Sequence, residues 1–212
     1  MIVLNTILPS AIAIATIFLF GCVGEILMEK SGHLNLGLPG VMCFGAYGGS
    51  LGVSLFMQNY ASDYTKAPYL PLILVAISMS IVFSLIAGLI YALLTVTLKC
   101  NQNVTGLAMT TFGVGFGNFF GGSLIKLSGA DVPSIALSRT SAFFSASLPF
   151  SDKLGWFGKI FLSYGFLAYA AVIIAFLSAY ILRRTRVGLQ LRAVGENPNT
   201  ADAAGINVTK YK

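Results

Sequence analysis

Charge is scarce in this chain. Asp, Glu, Lys and Arg make up 9% of its 212 residues, where a soluble domain carries about 25%. Apolar side chains fill 56% of it, and the few charges are clustered, leaving long runs with none. A soluble globular fold is thereby excluded and an integral membrane protein is indicated. Histidine is nearly absent: His33 stands alone and cannot build a zinc site. Cys22, Cys43 and Cys100 lack metal-ligand spacing and give no disulfide framework. The N-terminus has no positive n-region ahead of its apolar run, so a cleaved leader is not expected and the first segment should stay as a span.

Enzyme signatures are missing as well. The nearest approach to a phosphate-binding loop is Gly158-Lys159, but Lys153 stands where the upstream glycine belongs and Ile160 where Ser or Thr belongs. Without those groups the backbone cradle and the magnesium hydroxyl are lost, so this chain is not expected to hydrolyse ATP. No HExxH or paired carboxylates occur. The net charge of +6 comes without basic stripes interleaved with exposed aromatics, which argues against nucleic acid. Lys and Arg near span ends fit the positive-inside rule instead.

What the chain does have is long apolar runs. A span needs about 20 residues to cross roughly 30 Å of hydrocarbon. Five candidates meet this, at about 8–27, 41–57, 70–98, 104–122 and 160–182. The third is longer than a perpendicular span requires, so tilt or a break near Gly88 is expected. Residues 123–159 carry both charge signs, prolines and aromatics, and are read as an extracytoplasmic cap with one or two short interfacial helices. The fold class expected is an all-α integral membrane protein, with a transmembrane domain over 1–182 and a cytosolic segment over 183–212.

That last segment holds six of the thirteen Lys and Arg residues. Arg183, Arg184, Arg186 and Arg192 place it in the cytoplasm. It contains a short helix signature, with Asn197 as N-cap, Pro198 at the first helical position and Gly205 just past the end. Ala201, Ala203 and Ala204 leave a small, smooth surface between them. A basic segment with a capped helix hung on a span reads either as a docking element for a cytosolic partner or as an ordinary juxtamembrane loop.

Other residues stand out by spacing or cost. Gly113, Gly117 and Gly121 recur every four residues, and Gly45 and Gly49 offer the same device in the second span. Small residues so spaced let helix backbones approach closely. Polar groups inside apolar runs are expensive, which draws attention to Glu25, Asn101, Gln102, Asn103 and Asn118. Phe112 and Phe116 lie one turn apart and either stack a flat ring or pack against neighbours and lipid.

Three stretches resemble one family. Glu29-Lys30-Ser31-Gly32-His33-Leu34-Asn35-Leu36-Gly37 is similar to its E-[RK]-[ST]-G-x-x-N-[IL]-G segment. Leu98-Lys99 with Asn101-Gln102-Asn103-Val104-Thr105-Gly106-Leu107-Ala108 is similar to its K-x-N-[QE]-x-[VI]-[TV]-x-L-A segment. Arg184 to Gly188, Arg192 to Pro198 and Ala204 to Val208 follow its T-[RK]-x-G … R-A-[VL]-G … G-[IV]-[ND]-V signature. The family is that of the membrane permease subunits of binding-protein-dependent ABC importers for simple sugars, nucleosides and branched-chain amino acids. The wording is nearest the nucleoside type. Pro39-Gly40 departs from the Glu-Gly often found there, and the family's further spans after the signature make this chain look truncated.

The resemblance implies a non-catalytic permease in a bacterial cytoplasmic membrane, carrying nucleosides or else a simple sugar or a branched-chain amino acid. It implies a second permease chain, an extracytoplasmic solute-binding lipoprotein or periplasmic protein, surrounding membrane lipid, and an ATPase partner that holds ATP and Mg. It makes the helix near Pro198–Ala204 the coupling helix. Arg192, Glu196, Asn197, Pro198, Ala201, Ala204 and Gly205 are then the coupling residues, with Arg192 and Glu196 setting register by charge pairing and Ala201 on the docking face. Asn35, Asn103, Phe112, Phe116 and Asn118 are assigned to the solute pathway. A stand-alone channel or membrane scaffold with a basic tail is the alternative from another class; it would conduct without ATP.

Overall fold

The computed structural model describes residues 2–60, 67–127, 140–146 and 163–211. Every regular element among them is a helix. The chain divides into two compact units, Met1–Leu34 with Phe144–Lys212, and Asn35–Phe143.

The second unit is built on α2 (Leu38–Gln58), with α3 (Tyr69–Ala92) against one side and α4 (Gln102–Leu127) against the other. Glycine decides both contacts. A Cβ at Gly48 would lie 2.6 Å from Phe83, and one at Gly52 would lie 2.8 Å from Met79. Gly45 faces Ser84 more closely still. Partner numbers fall along α3 as they rise along α2, so the pair is antiparallel. On the other side Gly40 faces Met109 and Gly113, while Phe44 stacks on Phe116 with centroids 4.3 Å apart. Here the numbers rise together and the helices run parallel.

The irregularity expected near Gly88 lies further on. A Cβ at Gly88 would meet nothing within 4 Å, and the helix continues through it, because a backbone in apolar surroundings keeps its internal hydrogen bonds. The break comes as a π turn at Leu93–Thr97. Leu98 N donates to Leu93 O at 2.9 Å, Cys100 N to Leu94 O at 3.0 Å, and the Thr95 hydroxyl to Tyr91 O at 2.9 Å. Lys99 then leaves the helix at φ 53°, and Asn101 restarts the chain by accepting from Asn103 N at 3.0 Å and Val104 N at 3.3 Å.

The first unit pairs α1 (Ile2–Lys30) with α5 (Phe166–Arg184) and adds three shorter helices, α6 (Arg186–Glu196), α7 (Pro198–Ala203) and α8 (Val208–Tyr211). α5 begins at Phe166 rather than 160, with Gly165 as an extended N-cap. Thr185 makes the corner into α6: its hydroxyl donates to Ile181 O at 2.7 Å and accepts from Gly188 N at 3.2 Å. Gly188 is required there, since a Cβ would meet Ile181 O and lie 2.5 Å from Leu182 Cα.

Among the described residues four helices are long and apolar enough to cross a membrane: Ser10–Lys30, Leu38–Gln58, Tyr69–Thr97 and Phe166–Arg184. The remaining expected span, 104–122, lies inside α4, which has the length at 26 residues but is not among those four. Large apolar side chains line the outer faces, Phe119 and Phe176 among the most exposed, as suits helices that meet lipid. Of the expected cap over 123–159, α4 takes the start and a helical stretch occupies 140–144; the rest lies outside the described residues.

Candidate functional site

Two helix stops shape the site, and both use a glycine at positive φ. α1 ends with Gly32 at φ 83°. His33 N returns to Met28 O at 3.1 Å and Gly32 N to Glu29 O at 3.0 Å. α7 ends the same way with Gly205 at φ 80°, Ile206 N reaching Ala201 O at 3.0 Å and Gly205 N reaching Asp202 O at 2.9 Å. These paired bonds are the Schellman arrangement, which satisfies the last carbonyls and turns the chain.

At its other end α7 is capped as its sequence suggests. The Asn197 side chain accepts from Thr200 N at 3.1 Å, and Pro198 opens the helix. Asn197 also closes α6, its N–H donating to Ala193 O at 3.1 Å. One residue thus ends α6 and starts α7, so the two helices form a rigid corner.

Several expected roles change once side chains are placed. Ala201 is 3% exposed, so its side chain packs inward rather than standing on the outer face of α7. The outward face of α7 carries Asn199, Asp202 and Ala203, with Ala204 and Gly205 following and Glu196 just before. Arg192 also turns inward. It lines a cleft of about 480 Å³ between α1 and α5, and its Nε is buried with no partner among the described residues.

α6 is fixed to the end of α1 by backbone contact. A Cβ on Gly195 would strike Lys30 O, and one on Gly32 would lie 3.1 Å from Gly195 Cα. Gly32, Gly188 and Gly195 were not singled out by sequence reasoning, although all three belong to the stretches that carry the family resemblance. Their signal was a glycine at a set place in each of those stretches.

The pathway residues are not gathered into one site. Asn35 is buried, and its Oδ1 accepts from Gly37 N at 2.9 Å, so it shapes the loop that packs on Gly106 and Met109. Thr110 secures the same loop by donating to Leu36 O at 2.6 Å. Asn103 and Asn118 are exposed on α4. Phe116 packs among aromatics, stacked on Phe44 and edge-on to Tyr47 at 5.2 Å, while Phe112 sits 5.6 Å from Phe44 with much of its ring exposed. Of the packing glycines, Gly113 lies against the backbone of Gly40, Gly45 lies against the Ser84 hydroxyl, and a Cβ on Gly49 would come within 3.3 Å of Ala76 O. Gly117 reaches only Cys43 at 3.8 Å and Gly121 meets nothing within 4 Å, because the rings of Tyr47, Phe116 and Phe120 occupy the interface beyond Gly113.

On the α1–α5 face a second cleft, of about 710 Å³, reaches Tyr164. Burial, and then the neighbouring Tyr169, push the Tyr164 hydroxyl above its ordinary pKa, so it stays protonated. Among the described residues no cluster of His, Cys, Asp and Glu could hold a metal ion.

Comparison with known proteins agrees with this multi-pass architecture. The chain is 31% identical to the guanosine ABC transporter permease NupQ of Bacillus subtilis over 99% of its own length and 62% of that protein. It is 29% identical to the nucleoside ABC transporter permease NupC of Lactococcus lactis, again over 99% of this chain and 62% of the other. It is 28% identical to a putative glucose ABC transporter permease, TsgC13, of Haloferax volcanii over 97% and 56% respectively. The chain therefore spans about three fifths of the curated relatives it matches. No solved structure gives a significant match. The family described as branched-chain amino acid transport system / permease component matches residues 7–212, and this chain, a multi-pass protein of the cell membrane, belongs to that family.

Proposed function

We propose that the chain is the permease subunit of an ATP-driven importer for nucleosides, and that α7 is where a separate ATPase subunit docks. The observation that carries the coupling role is the rigid corner: α7 shares Asn197 with α6, and α6 rests backbone to backbone on the end of α1 through Gly195. A push on α7 would move a membrane helix without first compressing side chains. The relatives named for guanosine and nucleosides support the solute class. The relative named for glucose supports a simple sugar as the second reading. ATP and Mg would sit on the partner, with a second permease chain completing the pathway and a solute-binding protein delivering cargo outside.

Two measurements test this. In cells carrying the full transporter, labelled purine nucleosides are expected to accumulate and ribose to stay at background; ribose uptake without nucleoside uptake would overturn the solute assignment. For docking, the informative position is Ala203, which faces outward, rather than Ala201. Ala203→Arg is expected to lower co-purification of the ATPase by at least about tenfold, the loss that ~1.4 kcal/mol produces. Unchanged recovery would remove α7 from the docking surface. Ala201→Arg would instead disrupt the corner itself, so it reports on folding.

A further inference from the structure

The Arg192 cleft has a composition that neither transport of a polar solute nor docking of an ATPase explains. At one end stand Lys30, Arg183 and Arg192, from α1, α5 and α6 in turn, and no Asp or Glu lines the space. Lys30 and Arg183 are exposed and Arg192 is half-buried, so the three cations are open to an anion arriving from the membrane surface, which would offset their mutual repulsion. The Nε of this half-buried Arg192 is itself buried and adds an unmade hydrogen bond among the described residues, and a buried donor atom without an acceptor calls for a ligand or an explanation.

The remaining wall is apolar, formed by side chains such as Leu19 and Ile26 of α1 and Ala175 and Ala179 of α5. Leu19 and Lys30 are about 16 Å apart along the helix, at about 1.5 Å per residue. That is close to one leaflet, about half of the ~30 Å hydrocarbon thickness. The basic end is the end of α5 that carries Arg183 and Arg184, which the positive-inside rule puts on the cytosolic side.

We infer that this cleft binds an anionic phospholipid of the cytosolic leaflet, with the phosphate held by Lys30, Arg183 and Arg192 and an acyl chain lying between α1 and α5. A free phosphate would satisfy the cations but leave the apolar wall bare. A zwitterionic lipid would fill the wall but bring its own cation to the basic end. Only a lipid with net negative charge answers both halves of the site. Because the bound phosphate would touch α1, α5 and α6 together, it would brace the junction between the spans and the cytosolic corner. The inference does not depend on which solute is carried.

The test is native mass spectrometry of the purified chain, titrated with dioleoyl phosphatidylglycerol, dioleoyl phosphatidylcholine or inorganic phosphate. Phosphatidylglycerol is expected to bind at least about tenfold more tightly than phosphatidylcholine, and phosphate alone not to be retained. Each juxtamembrane cation is worth about fivefold in attraction to an anionic headgroup, so Lys30→Gln or Arg192→Gln should each weaken phosphatidylglycerol about that much. The triple variant with Arg183→Gln should weaken it about a hundredfold. Arg184→Gln and Arg186→Gln, outside the cleft, should change it by less than about twofold. Ala179→Phe keeps every charge and blocks the chain path; it should weaken phosphatidylglycerol too, and it keeps the test decisive if a charge variant misfolds. Equal binding of the two lipids, retention of phosphate alone, equal sensitivity to Arg184 and Arg186, or an inert Ala179→Phe would each overturn the site.

Discussion

Valine at Gly113 is expected to abolish the packing of α2 against α4. A Cβ there would lie 2.5 Å from both the Cα and the carbonyl oxygen of Gly40, and a Cβ on Gly40 would strike the Met109 carbonyl. Both obstacles are backbone, so no side chain can rotate aside; the helices must separate. Overpacking a close contact costs about 1–3 kcal/mol even where neighbours can adjust, and separation here also breaks the Phe44–Phe116 stack one turn away. Such aromatic pairs contribute about 0.5–1.5 kcal/mol beyond their buried area. Gly113→Ala should therefore lower stability in detergent by about 3 kcal/mol, near the upper end of overpacking, and Gly113→Val should leave little folded protein. Gly121→Ala is the matched control. With nothing within 4 Å, it should shift stability by no more than about 0.5 kcal/mol. Equal losses at the two positions would show that spacing, rather than contact, sets the cost.

That contrast marks the limit of what the sequence reveals. Gly113, Gly117 and Gly121 are equivalent by period, because a repeat of four residues fixes a helix face and nothing more. Which of them meets a backbone depends on where two helices cross, and crossing is a tertiary property. The caps of α7 were legible in advance because Asn197, Pro198 and Gly205 act on their own neighbouring backbone groups, so their chemistry is complete within a few residues. The burial of Ala201 and the inward turn of Arg192 were not legible, since each depends on what lies beneath α6 and α7. The bond from Gly37 N to Asn35 Oδ1 was not legible either, since it depends on how the loop after α1 folds back on itself. Tilt or a break was expected near Gly88, because glycine lowers helix propensity; the helix runs through that residue and the irregularity comes as the π turn at Leu93–Thr97.

The other large effect is expected at Gly195, and it separates docking from transmission. Alanine at this position would drive a Cβ into the Lys30 carbonyl, and its Cα already lies 3.1 Å from where a Cβ on Gly32 would be. Gly32 cannot retreat freely, since its φ of 83° belongs to the turn that closes α1. Gly195→Ala must therefore lift α6 from α1, at a cost of about 1–3 kcal/mol. The far side of the corner is untouched: Asn197 still caps α7, and Asn199, Asp202 and Ala203 still face outward. In the full transporter the ATPase should remain bound within about twofold of its normal recovery, which corresponds to ~0.4 kcal/mol. Solute uptake should fall by at least about tenfold, as expected if ~1.4 kcal/mol of the drive from α7 to α1 is lost. Gly32→Ala should reproduce the defect, adding the roughly 1–2 kcal/mol that a left-handed backbone costs an L side chain. Loss of ATPase binding together with uptake would instead mean that α6 must rest on α1 for α7 to keep its shape. Normal uptake by Gly195→Ala would remove this contact from the coupling route and leave the Thr185 corner, where α5 passes directly into α6, as the connection to test next.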